Sequence, residues 1–385
     1  MWLSFLRWLY SLPSDFWGQV VGGFFHGMGA ILGGVFGTIV GILFKGWIDR
    51  RKRKELESVI DVRTKKMDRL LQKLRDAKET TLWTSFPSAP PFTNYLAAVA
   101  NSLPIITIAN LKGGVGKTTV AANLAACLDR RFGQRVLLID LDYQGSLTTM
   151  MRSHLGQVDR RSLVNDLLSG HADFGTLFRV SSTLAPDLSK SRIVPAFYEL
   201  ARYEDRVMIE WVLQETDDDV RYRLARVLLS NEIRSQFDLI LLDAPPRLTT
   251  GTINALCASN YLVVPTIFNM LSAETVGNFL QTVKQLLLLD LNPQLKVLGV
   301  LETLTPPINQ AQDERAAARA TIEEALQSLQ LPSATLFDIN IPRRNAIAEA
   351  GLAYLRDAGA RQIFDALGAT IVEKVNLRRW DRAAE

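Results

Sequence analysis

The run Lys112-Gly113-Gly114-Val115-Gly116-Lys117-Thr118-Thr119 decides how the chain is read. Before it stands Pro104-Ile105-Ile106-Thr107-Ile108-Ala109-Asn110, an apolar and β-branched stretch that predicts a buried strand. After it come Val120-Ala121-Ala122-Asn123-Leu124-Ala125-Ala126-Cys127-Leu128, strong helix formers that predict a helix stopping near Gly133. Strand, glycine loop and helix N-terminus, in that order, build a phosphate cradle. Glycines let backbone N–H groups curl round an anion, and the helix dipole adds partial positive charge where the phosphates sit. In such a cradle Lys117 reaches the β- and γ-phosphates and the Thr118 hydroxyl holds Mg²⁺.

Two further apolar runs end in carboxylates. Arg135-Val136-Leu137-Leu138-Ile139-Asp140-Leu141-Asp142-Tyr143-Gln144-Gly145 predicts a buried strand with Asp140 and Asp142 at its carboxyl end. Phe237-Asp238-Leu239-Ile240-Leu241-Leu242-Asp243-Ala244-Pro245-Pro246 does the same for Asp243. Ligands bind beyond the carboxyl ends of parallel strands, so these carboxylates are expected to face the phosphates. More strands are expected over 193–196, 261–265, 297–301 and 334–337, and helices over 203–213 and 361–379. The last of these carries Ile363, Phe364, Leu367, Ile371 and Val375 on one side. The fold class is α/β, a mostly parallel doubly wound sheet. Between Ser146 and Gln236 no separate catalytic constellation is legible.

Set against the P-loop pattern G-x-x-x-x-G-K-[ST], the first glycine slot holds Leu111, and a second lysine, Lys112, enters the loop. This variant resembles the deviant Walker A box of the ParA/MinD family of ATPases. The Asp140–Gly145 stretch is similar to that family's D-x-D-P-Q-G box, with Tyr143 where proline is usual, which changes the local loop. Asp243-Ala244-Pro245-Pro246 resembles its Walker B with the D-x-P-P tail. Asn254-Ala255-Leu256, and Ile341-Pro342 with Glu349-Ala350, extend the resemblance over residues 104–375. The resemblance implies an ATP hydrolase that uses ATP and Mg²⁺. It implies that Lys112, Gly113, Gly114, Val115, Gly116, Lys117, Thr118 and Thr119 bind the nucleotide. It further implies catalytic roles for Lys112, Lys117 and Asp142, with Asp142 orienting the attacking water. Thr118 and Asp243 then contact the metal, Asp140 supports its shell, and Lys112 crosses to the partner's phosphates in a homodimer formed on ATP binding.

The 385 residues suffice for one large α/β domain and an appendage. Two cysteines, Cys127 and Cys257, in apolar surroundings exclude a disulfide framework and suggest a reducing compartment. Three scattered histidines, His26, His154 and His171, argue against zinc. Of the net charge of +4, residues 1–48 contribute +1 and residues 49–79 contribute +5, which leaves −2 for the rest. The basic character therefore belongs to one short segment.

From Phe16 to Phe44 no residue is charged. As a helix these 29 residues span about 43 Å against roughly 30 Å of hydrocarbon, so the stretch is expected to cross a bilayer once. Trp17 and Trp47 flank it, and Arg50-Arg51-Lys52-Arg53-Lys54 places the rest of the chain in the cytoplasm by the positive-inside rule. Gly18 and Gly22, then Gly29, Gly33, Gly37 and Gly41, recur at four- and seven-residue steps on one helix face. Small residues so spaced let helices approach closely, which suggests a higher membrane oligomer through the glycine face. Residues 49–84 read as a basic juxtamembrane helix or coiled coil, with Leu56, Ile60, Met67, Leu70 and Leu74 along its seam and its cations toward anionic lipid.

These readings divide the chain into a membrane segment (1–48), a juxtamembrane helix (49–84), a linker (85–103) and an ATPase domain (104–385). The expectation is a single-pass protein of the cell inner membrane with a cytoplasmic ATPase domain. It would act as an ATP-dependent dimerisation switch that positions or assembles a cargo, stimulated by an unidentified activating protein. Two alternatives stand beside it: a bacterial tyrosine-kinase-like P-loop protein, and an ATPase-gated membrane effector. DNA is a weaker partner, through Arg343, Arg344, Arg378 and Arg379, because the domain carries no bulk positive charge.

Overall fold

In the computed structural model the described residues are 94–155, 163–213, 215–306, 312–331, 334–344 and 352–377, together with positions 61, 62, 64, 65, 68 and 83. The expected membrane span lies outside them. Among the described residues no helix is long and apolar enough to cross a membrane. Of the juxtamembrane stretch, Asp61, Val62, Thr64, Lys65 and Asp68 are helical and exposed, and Lys65 Nζ donates to Asp61 one turn away at 2.6 Å.

Eight strands form the sheet: β1 (Ile105–Ile108), β2 (Val136–Asp140), β3 (Ser182–Leu184), β4 (Leu188–Val194), β5 (Leu239–Asp243), β6 (Tyr261–Thr266), β7 (Lys296–Thr305) and β8 (Leu336–Pro342). Their spatial order is β3-β4-β2-β5-β1-β6-β7-β8. Only the edge pair β3–β4 is antiparallel. Every residue of β1, β2 and β5 is buried, the pattern of parallel strands covered on both faces. Continuous apolar runs are therefore what the sequence shows at these three places.

The helices that frame the site are α1 (Lys117–Arg130), α2 (Thr250–Ala258), α3 (Met270–Leu288), α4 (Gln312–Leu329) and α5 (Ala358–Lys374). α5 buries Phe364, Leu367 and Ile371 in one cluster with Val120, Leu124 and Cys127 of α1. Gly368 makes this approach close: a Cβ there would stand 2.6 Å from Cys127 Sγ. The C-terminal helix thus begins three residues before, and ends five residues before, the limits its apolar spacing suggests.

β4 starts earlier than the 193–196 expectation: its first half sets exposed Ser189 and Lys190 between buried Leu188 and Ser191, beside the edge strand β3. β8 is displaced toward Pro342 relative to 334–337. The helix expected over 203–213 runs Glu199–Val212. Residues 202–217 group with Met1–Lys78, apart from the unit of Glu79–Ala201 and Asp218–Glu385 that holds the sheet.

Candidate functional site

β2, β5 and β1 lie side by side, and their carboxyl ends collect the expected residues on one edge. Asp140 ends β2 in register with Asp243, which ends β5, and Asp243 is in register with Ile108 at the end of β1. Two carboxylates and the glycine loop are neighbours by backbone pairing alone.

Within the loop, Gly114 (φ 72°) and Gly116 (φ 80°) take left-handed conformations that a side chain would strain. Gly116 caps α1, no side chain satisfies the helix's first amides, and its first turn holds no acidic residue. A bare helix N-terminus of this kind offers N–H donors and a favourable dipole to an anion. Neighbouring strands hold the loop in place. Asn110 Nδ2 donates to the Pro265 carbonyl at 2.8 Å, and Asn110 Oδ1 accepts from Lys112 N at 3.0 Å. The Thr303 hydroxyl on β7 donates to the Val115 carbonyl at 2.8 Å.

Both loop lysines have defined partners. Lys117 Nζ donates to the Lys112 carbonyl at 3.0 Å, and Lys112 Nζ donates to Ser272 Oγ in the first turn of α3 at 2.8 Å. Burial holds the Lys117 ammonium below the usual lysine range, with the Asp243 and Asp142 carboxylates pulling the other way.

The carboxylates differ sharply in how they are satisfied. Asp140 Oδ2 accepts from Thr148 N at 2.9 Å and from the Thr148 hydroxyl at 2.7 Å, while Oδ1 accepts from Asp142 N at 3.1 Å. Burial still pushes Asp140 up to about 7. Asp243 is buried with neither oxygen in hydrogen-bond geometry with any partner. Burial, then the adjacent Asp140, holds its carboxyl well above the usual range, against the pull of the nearby Thr118 hydroxyl and Lys117 ammonium. Asp142 is half-buried at the rim, where its Oδ1 accepts from Gln144 N at 3.0 Å.

An unsatisfied buried carboxylate is costly by itself. Beside a hydroxyl and a phosphate cradle it fits a hard divalent cation. Among the described residues no cluster of three or more His, Cys, Asp or Glu could hold a metal. Mg²⁺ takes one or two carboxylates and keeps waters and phosphate oxygens as its remaining ligands.

The structure therefore brings Lys112 to Thr119, Asp140, Asp142 and Asp243 to one edge. Sequence reasoning missed the residues that position them: Thr148, Thr303 and Ser272. Thr303 lies 188 residues from Val115, and Ser272 lies 160 from Lys112, so no local pattern flags them. Arg343 and Arg344 are exposed, and Arg344 Nη1 lies 3.8 Å from Asp357 Oδ1. Arg378 and Arg379 lie outside the described residues.

A glycine loop between a buried strand and an uncapped helix, with carboxylates on the two next strands, defines a P-loop nucleotide-binding protein. The comparisons make this more specific. An AAA-domain family profile (AAA_31) matches residues 103–297. The chromosome partitioning protein ParA of Caulobacter vibrioides is 31% identical over 252 residues, 65% of this chain and 85% of that protein. The sporulation initiation inhibitor protein Soj of Bacillus subtilis is 36% identical over 200 residues, covering 52% and 72%. Among solved structures, cobyrinic acid a,c-diamide synthase from Mycobacterium smegmatis, with bound ATP analogue and magnesium, superposes at a TM-score of 0.55 with 27% identity, over 73% of this chain and 96% of that one. The chain belongs to the ParA/Soj family of P-loop ATPases.

Proposed function

We propose that this protein is a membrane-anchored ParA/MinD-type ATPase that uses ATP binding as a dimerisation switch to position or assemble a cargo. The observation that carries the reading is the meeting of Lys117, Thr118 and the unsatisfied Asp243 at the bare N-terminus of α1, with Lys112 at its rim. Lys112 to Thr119 bind the triphosphate, and Lys117 neutralises its β- and γ-oxygens. Mg²⁺, when bound, neutralises charge on the phosphates; Thr118 and Asp243 hold it and Asp140 supports its shell.

Phosphoryl transfer to water needs positioning and charge neutralisation more than covalent chemistry. Asp142 supplies the positioning, because the Gln144 and Gly145 amides fold its loop back to the rim. Lys112 supplies charge across a homodimer. Its ammonium rests on Ser272 at a helix N-terminus, where the dipole disfavours a cation, so the contact is readily exchanged for a phosphate. The deviant Walker A reading of Lys112 and the membrane span of residues 16–44 supply the two halves of the proposal: a switch, and a surface to which the switch is confined. An activating protein then times the hydrolysis.

The test is an Asp142→Ala variant, expected to bind ATP with parental affinity, to hydrolyse it at least a hundredfold more slowly (about 10²–10⁴-fold for loss of a positioned base), and to remain dimeric. Hydrolysis at the parental rate would remove its role.

A further inference from the structure

Trp83 lies upstream of the family match that begins at residue 103, yet it is 1% exposed. Its indole N–H donates to the Leu248 carbonyl at 3.0 Å. Its own carbonyl accepts from Arg221 Nη1 at 2.8 Å. Arg221, also 1% exposed, is held in turn by Asp219, with Nε–Oδ1 at 2.8 Å. A fully buried guanidinium is tolerated only when paired and bonded, so this socket fixes the tryptophan backbone as firmly as its ring.

Leu248 closes the loop that opens with Asp243. The carbonyl just before it, that of Arg247, accepts from the Thr252 hydroxyl at 2.6 Å. Two successive carbonyls of the loop are thereby pinned, one from α2 and one from the upstream segment. The exposed Arg247 guanidinium then lies 5.6 Å from the centroid of the Tyr143 ring, within cation–π range. Tyr143 also meets Tyr198 edge-on, with ring centroids 6.3 Å apart. Tyr143 follows Asp142 directly, in the slot where a proline would stiffen the loop without outside help.

We propose that Trp83 is a positioning residue: through the Leu248 carbonyl it sets the Arg247–Tyr143 contact, and so the placement of Asp142. A residue upstream of the family match thereby acts on hydrolysis without touching the nucleotide. The inference rests on the reading of Asp142 as the residue that orients water.

The test uses the full-length protein. Trp83→Phe removes the indole N–H together with the second ring of a fully buried side chain, so a thermal melt of the variant accompanies the kinetics. The expected result is a kcat lower by about three- to tenfold, the size of one neutral hydrogen bond, with affinity for a fluorescent ATP analogue unchanged within about twofold. Arg247→Ala, an exposed substitution, is expected to lower kcat similarly, and Trp83→Phe is expected to add nothing in that background. A purely structural tryptophan would instead lower affinity along with turnover, or multiply the loss in the double variant. Parental turnover in Trp83→Phe, or in Arg247→Ala should the tryptophan variant not fold, overturns the inference. Asp142→Ala measured alongside separates the two failures: if it hydrolyses at the parental rate, the underlying reading of the site has failed; if it is inactive, only the positioning role has.

Discussion

Replacing Asp243 with asparagine is expected to strengthen the nucleotide-free protein while abolishing its response to Mg²⁺. Both Asp243 oxygens are buried outside hydrogen-bond geometry, so its ionised form is penalised by about 1–3 kcal/mol; asparagine is still polar and removes only that charge. Lost attraction to Lys117 trims the gain, so a net stabilisation of about 1–2 kcal/mol is expected, or about 2–8 °C in Tm. The pH dependence sharpens the test. A carboxyl held above its unfolded value binds more protons folded than unfolded, so its contribution is lost as pH rises from about 4 through its folded value. Asp140 reaches about 7, and Asp243 is also raised. The parent without nucleotide should therefore lose stability between pH 5 and 8, and Asp243→Asn should lose less. Thermal melts across that range, with and without Mg²⁺ and ATP, make the measurement. The parent gains about 2.7 kcal/mol at a hundredfold excess over Kd, and the variant gains only what ATP gives without metal. A variant less stable than the parent at pH 8, or one with an undiminished Mg²⁺-dependent shift, would refute the reasoning.

Thr148→Val removes a donor to Asp140 and strips Ala196 N of its acceptor at 3.0 Å. A loss of about 3–5 kcal/mol in denaturant unfolding is expected, and a change under 1 kcal/mol would show that the clamp does not matter. Gly368→Ala places a Cβ against Cys127 Sγ, which costs about 1–3 kcal/mol by overpacking; Cys127→Ala in the same chain should recover part of it, and purely additive losses would count against the contact. The full chain is expected to stay with membranes through an alkaline wash and to leave them when residues 1–48 are removed. Recovery of the intact chain in the soluble phase would end the reading of a span.

Fold and chemistry were legible where sequence distance is short. β1, the glycine loop and α1 are contiguous, and a strand buried on both faces must be apolar throughout, so Ile105–Ile108, Val136–Asp140 and Leu239–Asp243 announce themselves. The edge was less legible. β3 and the first half of β4 expose polar residues such as Thr183, Ser189 and Lys190, so no continuous apolar run marks them. The second layer of the site was hidden altogether. Ser272, Thr303 and Thr148 are ordinary hydroxyl residues until the sheet order β2-β5-β1-β6-β7 brings them to the loop. Trp83 reads as part of a charged helix and its linker, and only the socket at Arg221 and Leu248 shows that it belongs to the folded unit.

The central claim is that two copies share their triphosphates through Lys112. The most direct measurement is light scattering of the detergent-solubilised full chain before and after saturation with a non-hydrolysable ATP analogue and Mg²⁺. The account predicts that the protein mass doubles in the parent, and that Lys112→Ala binds the analogue without any change in mass. A parent whose mass is unmoved at saturation, or a Lys112→Ala variant that associates as the parent does, would contradict it.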